Sequence, residues 1–224
     1  MICAGRSVVC FDFSLSPILP MHSEGWGFSL YGEFAILNVR GSAMASPAIR
    51  NFMKQQGFAD EPSALCDMHF EGLYFQPRIV GSLIVVGIVL HVAGYMRGAT
   101  DLILYSTALF FALSAVLWWN VIAPSLNPFE AFYNRAFAAP RGRAPLVPAP
   151  GPRRFAQAIA AAFTLVVGVA LLQGWNVTAW VFEAFLVAAF SMLLFGKFCL
   201  GAYIFLLLRG QISLANSTLP WARS

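Results

Sequence analysis

Two ionisable residues lie inside long apolar segments of the sequence, where a charge is costly and therefore marks a candidate site. His91 lies four residues before Tyr95, the outer end of the first apolar segment, and Glu183 lies six residues after Val177, the outer start of the last one. Since a helix rises about 1.5 Å per residue, their depths differ by only a few ångström. The two side chains can therefore meet in the outer half of the membrane, and the sequence leaves open whether they pair.

Three roles fit a buried His–Glu pair. The two groups can relay protons, or the carboxylate can orient the imidazole toward a metal or a tetrapyrrole. The simpler interpretation, which we prefer, is structural: a hydrogen bond between two helices, or a side chain that reaches toward the lipid headgroups. The sequence argues against a haem held by two histidines, since His91 is the only histidine within an apolar segment.

Cys199 is the third residue that can carry chemistry, because a thiol can cycle to a disulfide. A second cysteine three residues later would complete a CxxC dithiol, but Ala202 stands there. The remaining cysteines have neither a disulfide framework nor metal-ligand spacing; they are Cys3, Cys10 and Cys66. We therefore predict a buried, inert thiol, no metal site and no bound cofactor.

The composition decides which solvent surrounds these residues. Of the 224 residues, 59% are hydrophobic and 11% are charged, whereas soluble domains are about 25% charged. A water-soluble fold of this length cannot hide so much apolar surface, because much of a small protein's surface faces solvent. Lipid must therefore surround most of the chain. The arginines behind the net charge of +4 cluster beside apolar segments, which is typical of a membrane protein and excludes a nucleic-acid binder.

Four apolar segments are long enough to cross a bilayer core of about 30 Å. We predict transmembrane helices over Ile79–Tyr95, Leu102–Ile122, Phe155–Leu172 and from Val177 to a break at Gly196 and Lys197. The last segment stays apolar for about 32 residues, too long for one crossing, so Phe198–Leu208 is predicted to lie at the interface or to turn back. Short connections at 96–101 and 173–176 make two hairpins. The predicted fold class is an all-α membrane protein with four transmembrane helices as two hairpins and short interfacial helices.

The N-terminal segment, residues 1–75, precedes the first span. Met44 is predicted to be the natural start, because residues 1–43 show neither a helical nor an alternating period and look like an upstream extension. A capping serine before Pro47 predicts a short amphipathic helix, which lies on the membrane surface or against the rest of the protein. Residues 58–75 are predicted to be a connector.

The middle connection links the two hairpins. Asn127 as N-cap predicts an interfacial helix over Pro128–Phe137, and residues 138–152 are predicted to be a flexible linker. This connection holds five arginines whereas the two hairpin turns hold only Arg97, so the positive-inside rule predicts that it is cytoplasmic. With an even number of spans, both termini are predicted to be cytoplasmic too. The predicted transmembrane domain is 76–209, followed by a C-terminal tail, 210–224.

Four short motifs give the chain a family resemblance. They are Gln76-Pro77-Arg78, Asn127-Pro128-Phe129, Pro152-Arg153-Arg154-Phe155-Ala156-Gln157 and Phe198-Cys199-Leu200-Gly201. Over about residues 76–208 the chain resembles a family of uncharacterised small bacterial four-helix integral membrane proteins, a domain of unknown function. The resemblance implies that the protein lies in the bacterial inner membrane. Many members carry a second cysteine where this chain has Ala202, so the resemblance gives no support for a dithiol here.

Three functions stay open. The leading hypothesis is a non-catalytic accessory or scaffold subunit of an inner-membrane complex, because the sequence shows no nucleophile–base pair, phosphate loop or metal cluster. The first alternative is a membrane component of a thiol/sulfur- or quinone-linked redox system, with His91, Glu183 and Cys199 as candidate catalytic residues. The second is a small-solute transporter acting as an oligomer, which draws on the broken fourth span. The expected partners are the lipid bilayer and either other membrane proteins or a second copy, and not nucleic acid.

Overall fold

A computed structural model describes residues 47–58, 67–141 and 145–222 of the chain. All regular secondary structure in these ranges is helical. The α-helices are α1 (Pro47–Gln55), α2 (Asp67–Arg97), α3 (Thr100–Ile122), α4 (Pro128–Tyr133), α5 (Gly151–Leu172), α6 (Asn176–Leu194), α7 (Leu200–Leu208) and α8 (Ile212–Ser217). The predicted start at Met44 lies outside the described residues, and so do Cys3, Cys10 and Cys66.

Four of these helices are long and apolar enough to cross a membrane. The candidate spans are Glu71–Arg97 in α2, Thr100–Ile122 in α3, Gly151–Leu172 in α5 and Asn176–Leu194 in α6. The predicted fold class is therefore confirmed. The third span begins before the predicted Phe155 because Pro152 lies in the first turn of α5, where a helix does not need the N–H that proline lacks.

α2 and α3 form one hairpin, and α5 and α6 form the other. Gly98 and Gly174 close the two turns with φ values of 63° and 72°, a left-handed conformation that ends a helix at little cost for glycine. α3 and α5 share the most extensive helix–helix contact and so join the hairpins. We call the end of the long helices at these turns the hairpin end. The opposite end, where residues 123–150 connect α3 to α5, is the connector end.

α2 starts at Asp67 and continues through Pro77, so the prediction of a connector is wrong for residues 67–75. A proline inside a helix lacks an N–H and leaves the carbonyl four residues earlier without its donor. Here that carbonyl belongs to Leu73, and it accepts a hydrogen bond of 3.4 Å from Nη2 of Arg153 on α5. A side chain of a neighbouring helix replaces the missing backbone donor, which is one way in which membrane helices tolerate proline.

The last apolar segment breaks where the sequence predicted, and Lys197 adopts a left-handed φ of 50° in the break. α7 then packs on the first turns of α5. A Cβ atom on Gly201 would lie 2.7 Å from Cα of Ala156, so this close approach requires glycine, and Phe205 lies beside Gly151. Residues farther along α7 therefore contact residues nearer the start of α5. α7 therefore runs toward the connector end and does not turn back between the long helices.

α1 lies against the rest of the protein, the second of its two predicted locations. Nδ2 of Asn51 donates to the carbonyls of Leu219 and Ala222 at 3.2 Å each. Oε1 of Gln55 accepts the backbone N–H of Cys199 at 2.8 Å. These contacts tie α1 to the C-terminal residues and to the break between α6 and α7.

The connector is packed against the protein. Oδ1 of Asn127 caps α4 as predicted, accepting from the backbone N–H groups two and three residues later at 3.0 and 3.4 Å. Farther along, the N–H of Leu146 donates to Oδ1 of Asn134 at 2.9 Å, and both Leu146 and Ala149 are buried. The prediction of a flexible linker is therefore wrong for the described residues of 138–152, because apolar side chains in this segment join the core.

Candidate functional site

Near the hairpin end, His91 of α2 and Glu183 of α6 are in contact, which the sequence had left open. Nδ1 of His91 and Oε1 of Glu183 share a hydrogen bond of 2.8 Å, and the two residues are 0% and 3% exposed. The Trp180 ring centroid lies 6.0 Å from that of the imidazole and 5.0 Å from that of Tyr95. We call His91 and Glu183 the hairpin-end pair; aromatic rings line its side nearest the turn.

The hairpin-end pair can hold a proton between its nitrogen and oxygen atoms. An unpaired charge at this depth would be costly, and the hydrogen bond reduces that cost for either group. Nε2 of His91 is buried and makes no hydrogen bond within the described part of the chain. A proton that reaches Nε2 therefore has no hydrogen-bonded side chain to pass to there. The geometry suits a fixed contact between α2 and α6 better than a relay.

A larger polar network lies at the opposite end of the long helices. We call it the connector-end cluster; its members are Gln76 of α2, Asn127 and Glu130 at the start of α4, and Arg153 and Gln157 of α5. Oε1 of Gln76 accepts from Nδ2 of Asn127 at 3.1 Å, Nε2 of Gln157 at 3.1 Å and Nη2 of Arg153 at 3.4 Å. One amide oxygen thus joins α2, α4 and α5.

The only charges of the connector-end cluster are those of Arg153 and Glu130. Nη2 of Arg153 lies 3.6 Å from Oε1 of Glu130, and the two residues are 5% and 6% exposed. Burial raises the pKa of the Glu130 carboxyl, while the Arg153 charge and a hydrogen bond with Asn127 oppose the rise. Since both groups are buried, removal of one would leave the other without its counter-charge.

A cavity of about 510 Å³ lies beside the connector-end cluster. Its volume falls within the range of about 300–1,000 Å³ that is usual for small-molecule sites. The polar residues of its wall are Gln56, Gln76, Arg153, Gln157 and Cys199. The rest of the wall is apolar and includes Val80, Leu117, Phe163, Leu186 and Ile204. The cluster is therefore the polar end of a mostly apolar cavity.

Cys199 lines the same cavity and is 7% exposed. Burial raises the pKa of its thiol; this rise is opposed, in decreasing order, by the backbone of Ala202, the side chain of Gln56, the backbone of Gly201 and the charge of Arg153. Because burial dominates, the thiolate is disfavoured near neutral pH. The predicted burial of this cysteine is confirmed.

The structure brings together two of the three residues that the sequence singled out. Cys199 follows the connector-end terminus of α6, whereas the hairpin-end pair lies near the other end, so the three do not form one site. The sequence interpretation missed Gln76, Arg153 and Gln157 as a network. A signal existed, since all three stand in the motifs that carry the family resemblance.

The described ranges contain no group of three or more His, Cys, Asp or Glu side chains placed to hold a metal ion. Comparison with curated proteins and with solved structures finds no match. The model of one family, described as a domain of unknown function (DUF4395), matches residues 75–209. This range covers the four long helices almost completely, together with the connector and α7.

Proposed function

The chain belongs to this DUF4395 family, and on that premise we propose that it is a non-catalytic accessory or scaffold subunit of a larger membrane assembly. The four apolar helices make it a multi-pass membrane protein. A scaffold needs rigid internal packing and a helix face that a partner can cover.

The exposure of α6 is the observation that carries this proposal. In its most apolar stretch, 17% of the residues are buried within the protein, against 33% in α2 and α3 and 39% in α5. Val181 and Phe185 on α6 are 47% and 56% exposed. An outer helix with so little internal packing offers its surface to lipid or to a neighbouring membrane helix, and a partner helix would bury it by close packing.

Internal polar contacts of the long helices also support a structural role. Oγ of Ser106 donates to the carbonyl of Gly87 at 2.8 Å, joining α3 to α2. Oγ of Ser114 donates to the carbonyl of Ala161 at 2.9 Å, joining α3 to α5. These hydroxyls tie helices together, as serines in membrane helices usually do.

Site-specific photo-crosslinking in native membranes tests the proposal. A photoreactive amino acid at Val181 is expected to give a discrete crosslinked product with a second protein. The matched control is Leu104, which is 60% exposed and lies four residues from the start of α3, much as Val181 lies five residues from the start of α6. Lipid adducts alone at both positions, together with a lone monomer after gentle extraction, would contradict the proposal.

The connector end is proposed to face the cytoplasm of a bacterial inner membrane, with both termini on that side. The positive-inside bias supports this orientation, because Arg78, Arg135 and Arg141 are exposed near the connector end while Arg97 is exposed at the hairpin end. An accessibility tag inserted at 142–144 is expected to be protected from reagents that cannot cross the membrane. Labelling of that tag in intact cells would reverse the orientation.

A redox-linked membrane component is the second candidate, favoured by the position of Cys199 on the cavity wall beside Arg153. A Cys199→Ser and Glu183→Gln double variant separates it from the scaffold proposal. The scaffold proposal expects normal assembly and an unchanged cellular phenotype, because neither substitution alters the exposed face of α6. A changed cellular phenotype of the double variant, with assembly intact, would favour the redox candidate.

A further inference from the structure

We propose that the cavity binds an amphiphile with one apolar chain and an anionic oxygen headgroup, such as a carboxylate, with the headgroup at Arg153. This inference does not depend on the scaffold role, since a scaffold and a catalytic component can both hold such a ligand. The polar end of the cavity, its apolar length and its opening all favour such a ligand.

The polar end has hydrogen-bonding capacity that the protein does not use. The two hydrogen bonds of Arg153 and its contact with Glu130 all involve Nη2. A guanidinium has five N–H donors, so those on Nη1 and Nε remain for a ligand within the described part of the structure. Oε1 of Gln157, a cavity residue that is 9% exposed, is also buried without a hydrogen bond, but an amide oxygen only accepts, so it can bind an O–H donor such as a bridging water and not the anion itself.

Charge complementarity favours an anion at this position. Arg153 is permanently cationic, and its fork of donors matches carboxylate and phosphate oxygens. Oε1 of Glu130 lies 3.6 Å from Nη2 of Arg153 and makes no hydrogen bond within the described ranges. The two charges therefore attract each other without a hydrogen bond between them. Burial also raises the pKa of the Glu130 carboxyl, so the negative charge of this counter-ion is less favourable than that of an exposed glutamate.

The apolar part of the cavity has the length of a chain. It is lined along α5 from Arg153 to Phe163, ten residues apart, which corresponds to about 15 Å. Leu186 of α6 and Leu117 of α3 line its wall as well. A headgroup held by Arg153 would therefore extend an apolar chain toward the middle of the membrane.

The cavity opens toward the lipid. Phe185 and Met192 of α6 and Leu200 of α7 line it and are 56%, 43% and 42% exposed. Because these residues lie on or next to a candidate membrane span, the exposed side faces the bilayer. A ligand of this class reaches the cavity from within the membrane.

Photolabelling of the full chain in phosphatidylcholine vesicles tests the inference. The probes are palmitic acid carrying a diazirine and, as the neutral match, hexadecanol carrying the same diazirine, both at pH 8. The acid is expected to label α5 and α6 next to the cavity about tenfold more than the alcohol, which corresponds to the loss of a hydrogen bond to a charged group. Competition by lysophosphatidic acid is compared with competition by unlabelled palmitic acid. The better competitor of the two shows whether the site prefers a phosphate or a carboxylate headgroup.

Two pairs of matched variants locate the site. Arg153→Gln is expected to lower acid labelling about tenfold, while Arg154→Gln, whose side chain binds the Val121 carbonyl, changes it less than about twofold. Ala189→Phe fills the cavity wall and is expected to abolish labelling, while Ala184→Phe on the exposed side of α6 does not.

If Arg153→Gln does not fold, Ala189→Phe and Ala184→Phe still test the inference, because Ala189 lies outside the polar network. Arg153→Lys then keeps the positive charge and is expected to keep the labelling. Equal labelling by acid and alcohol overturns the inference and shows that bulk lipid chains fill the cavity. Equal labelling of Ala189→Phe and Ala184→Phe overturns the inference as well.

Discussion

The hairpin-end pair and the connector-end cluster both bury ionisable side chains among apolar helices, but their geometries differ. His91 and Glu183 share one short hydrogen bond of 2.8 Å, with aromatic rings beside it. Arg153 makes three longer contacts of 3.4–3.6 Å through one nitrogen. Each site keeps buried atoms without a hydrogen bond in the described ranges: Nε2 of His91 in one, and Oε1 of Gln157 and Oε1 of Glu130 in the other. Of these three residues only Gln157 lines the cavity.

This difference follows from the number of donors that each side chain brings. A histidine has two ring nitrogens, and one of them is satisfied by a single bond to the carboxylate of Glu183 across two helices. A guanidinium cannot be satisfied that way, so the fold supplies acceptors from a proline-freed carbonyl, an amide and a carboxylate, and donors still remain. A buried arginine at the edge of a cavity is therefore a better indication of a ligand than a buried His–Glu pair between two helices.

Removal of Arg153 should have the largest effect on stability. Arg153→Ala leaves Glu130 buried without a cation and takes a donor from Leu73 and Gln76, so the free energy of unfolding should fall by about 3–5 kcal/mol. Equilibrium unfolding in mixed micelles measures this change. The comparison breaks down if Glu183→Ala, in the hairpin-end pair, costs as much.

The pH dependence of the connector-end cluster should follow Glu130. Its folded pKa lies above the ordinary value of 4.5, so the folded state holds the proton more tightly than the unfolded state. This stabilisation is complete below pH 4.5 and is lost as the pH rises through the folded pKa, with a slope of at most about 1.4 kcal/mol per pH unit.

The Glu130→Gln variant lacks this titration. Its stability relative to the wild type should therefore rise with pH over that window, as measured by unfolding at successive pH values. A stability difference that stays constant from pH 4.5 to pH 8 would show that Glu130 titrates alike in both states.

The hairpin-end pair should contribute a smaller, strictly pairwise energy. A double-mutant cycle with His91→Ala and Glu183→Ala is expected to give a coupling energy of about 0.6 kcal/mol and at most about 1.7 kcal/mol, the average and the maximum of such cycles between membrane helices. Each substitution should leave palmitic acid labelling of the cavity unchanged, because neither residue lines it. Loss of labelling in either variant would mean that the two regions are coupled.

Replacement of Pro77 should have the smallest effect. A proline inside a helix commonly costs about 3 kcal/mol, but the carbonyl that it frees already accepts from Arg153. Pro77→Ala should therefore change the free energy of unfolding by less than about 1 kcal/mol. The same substitution in an Arg153→Ala background should recover more stability, because Leu73 then lacks both donors. Equal effects in the two backgrounds would contradict this role of Arg153.

Most of the helical framework could be predicted from the sequence. Apolar length fixed the four spans, and the positions of Gly98, Gly174 and Lys197 match the predicted turns and break. The start of α2 could not be predicted, because Pro77 argues for a boundary and only a side chain from α5 compensates for it. The prediction of a flexible linker was wrong for a similar reason, because the burial of Leu146 depends on its neighbours in space.

The candidate site could be predicted only in part. The equal depth of His91 and Glu183 followed from helical rise, a local property of two apolar segments, but only the structure shows that the two side chains pair. Arg153 appeared in the sequence as one of several interfacial arginines, and no local pattern distinguishes it from its neighbour Arg154. Their environments differ because successive residues of a helix point in different directions, one into the cavity and one toward the Val121 carbonyl.

The sequence by itself determined that lipid surrounds this protein and how many helices cross the membrane. Hydropathy and segment length are summed along the chain and do not depend on contacts between distant residues. The tertiary structure alone decided which polar groups share a site and where space remains between helices. Those properties depend on helix rotation and on contacts between residues far apart in the chain, such as Gln76 with Gln157. The cavity and its arginine belong to this second class.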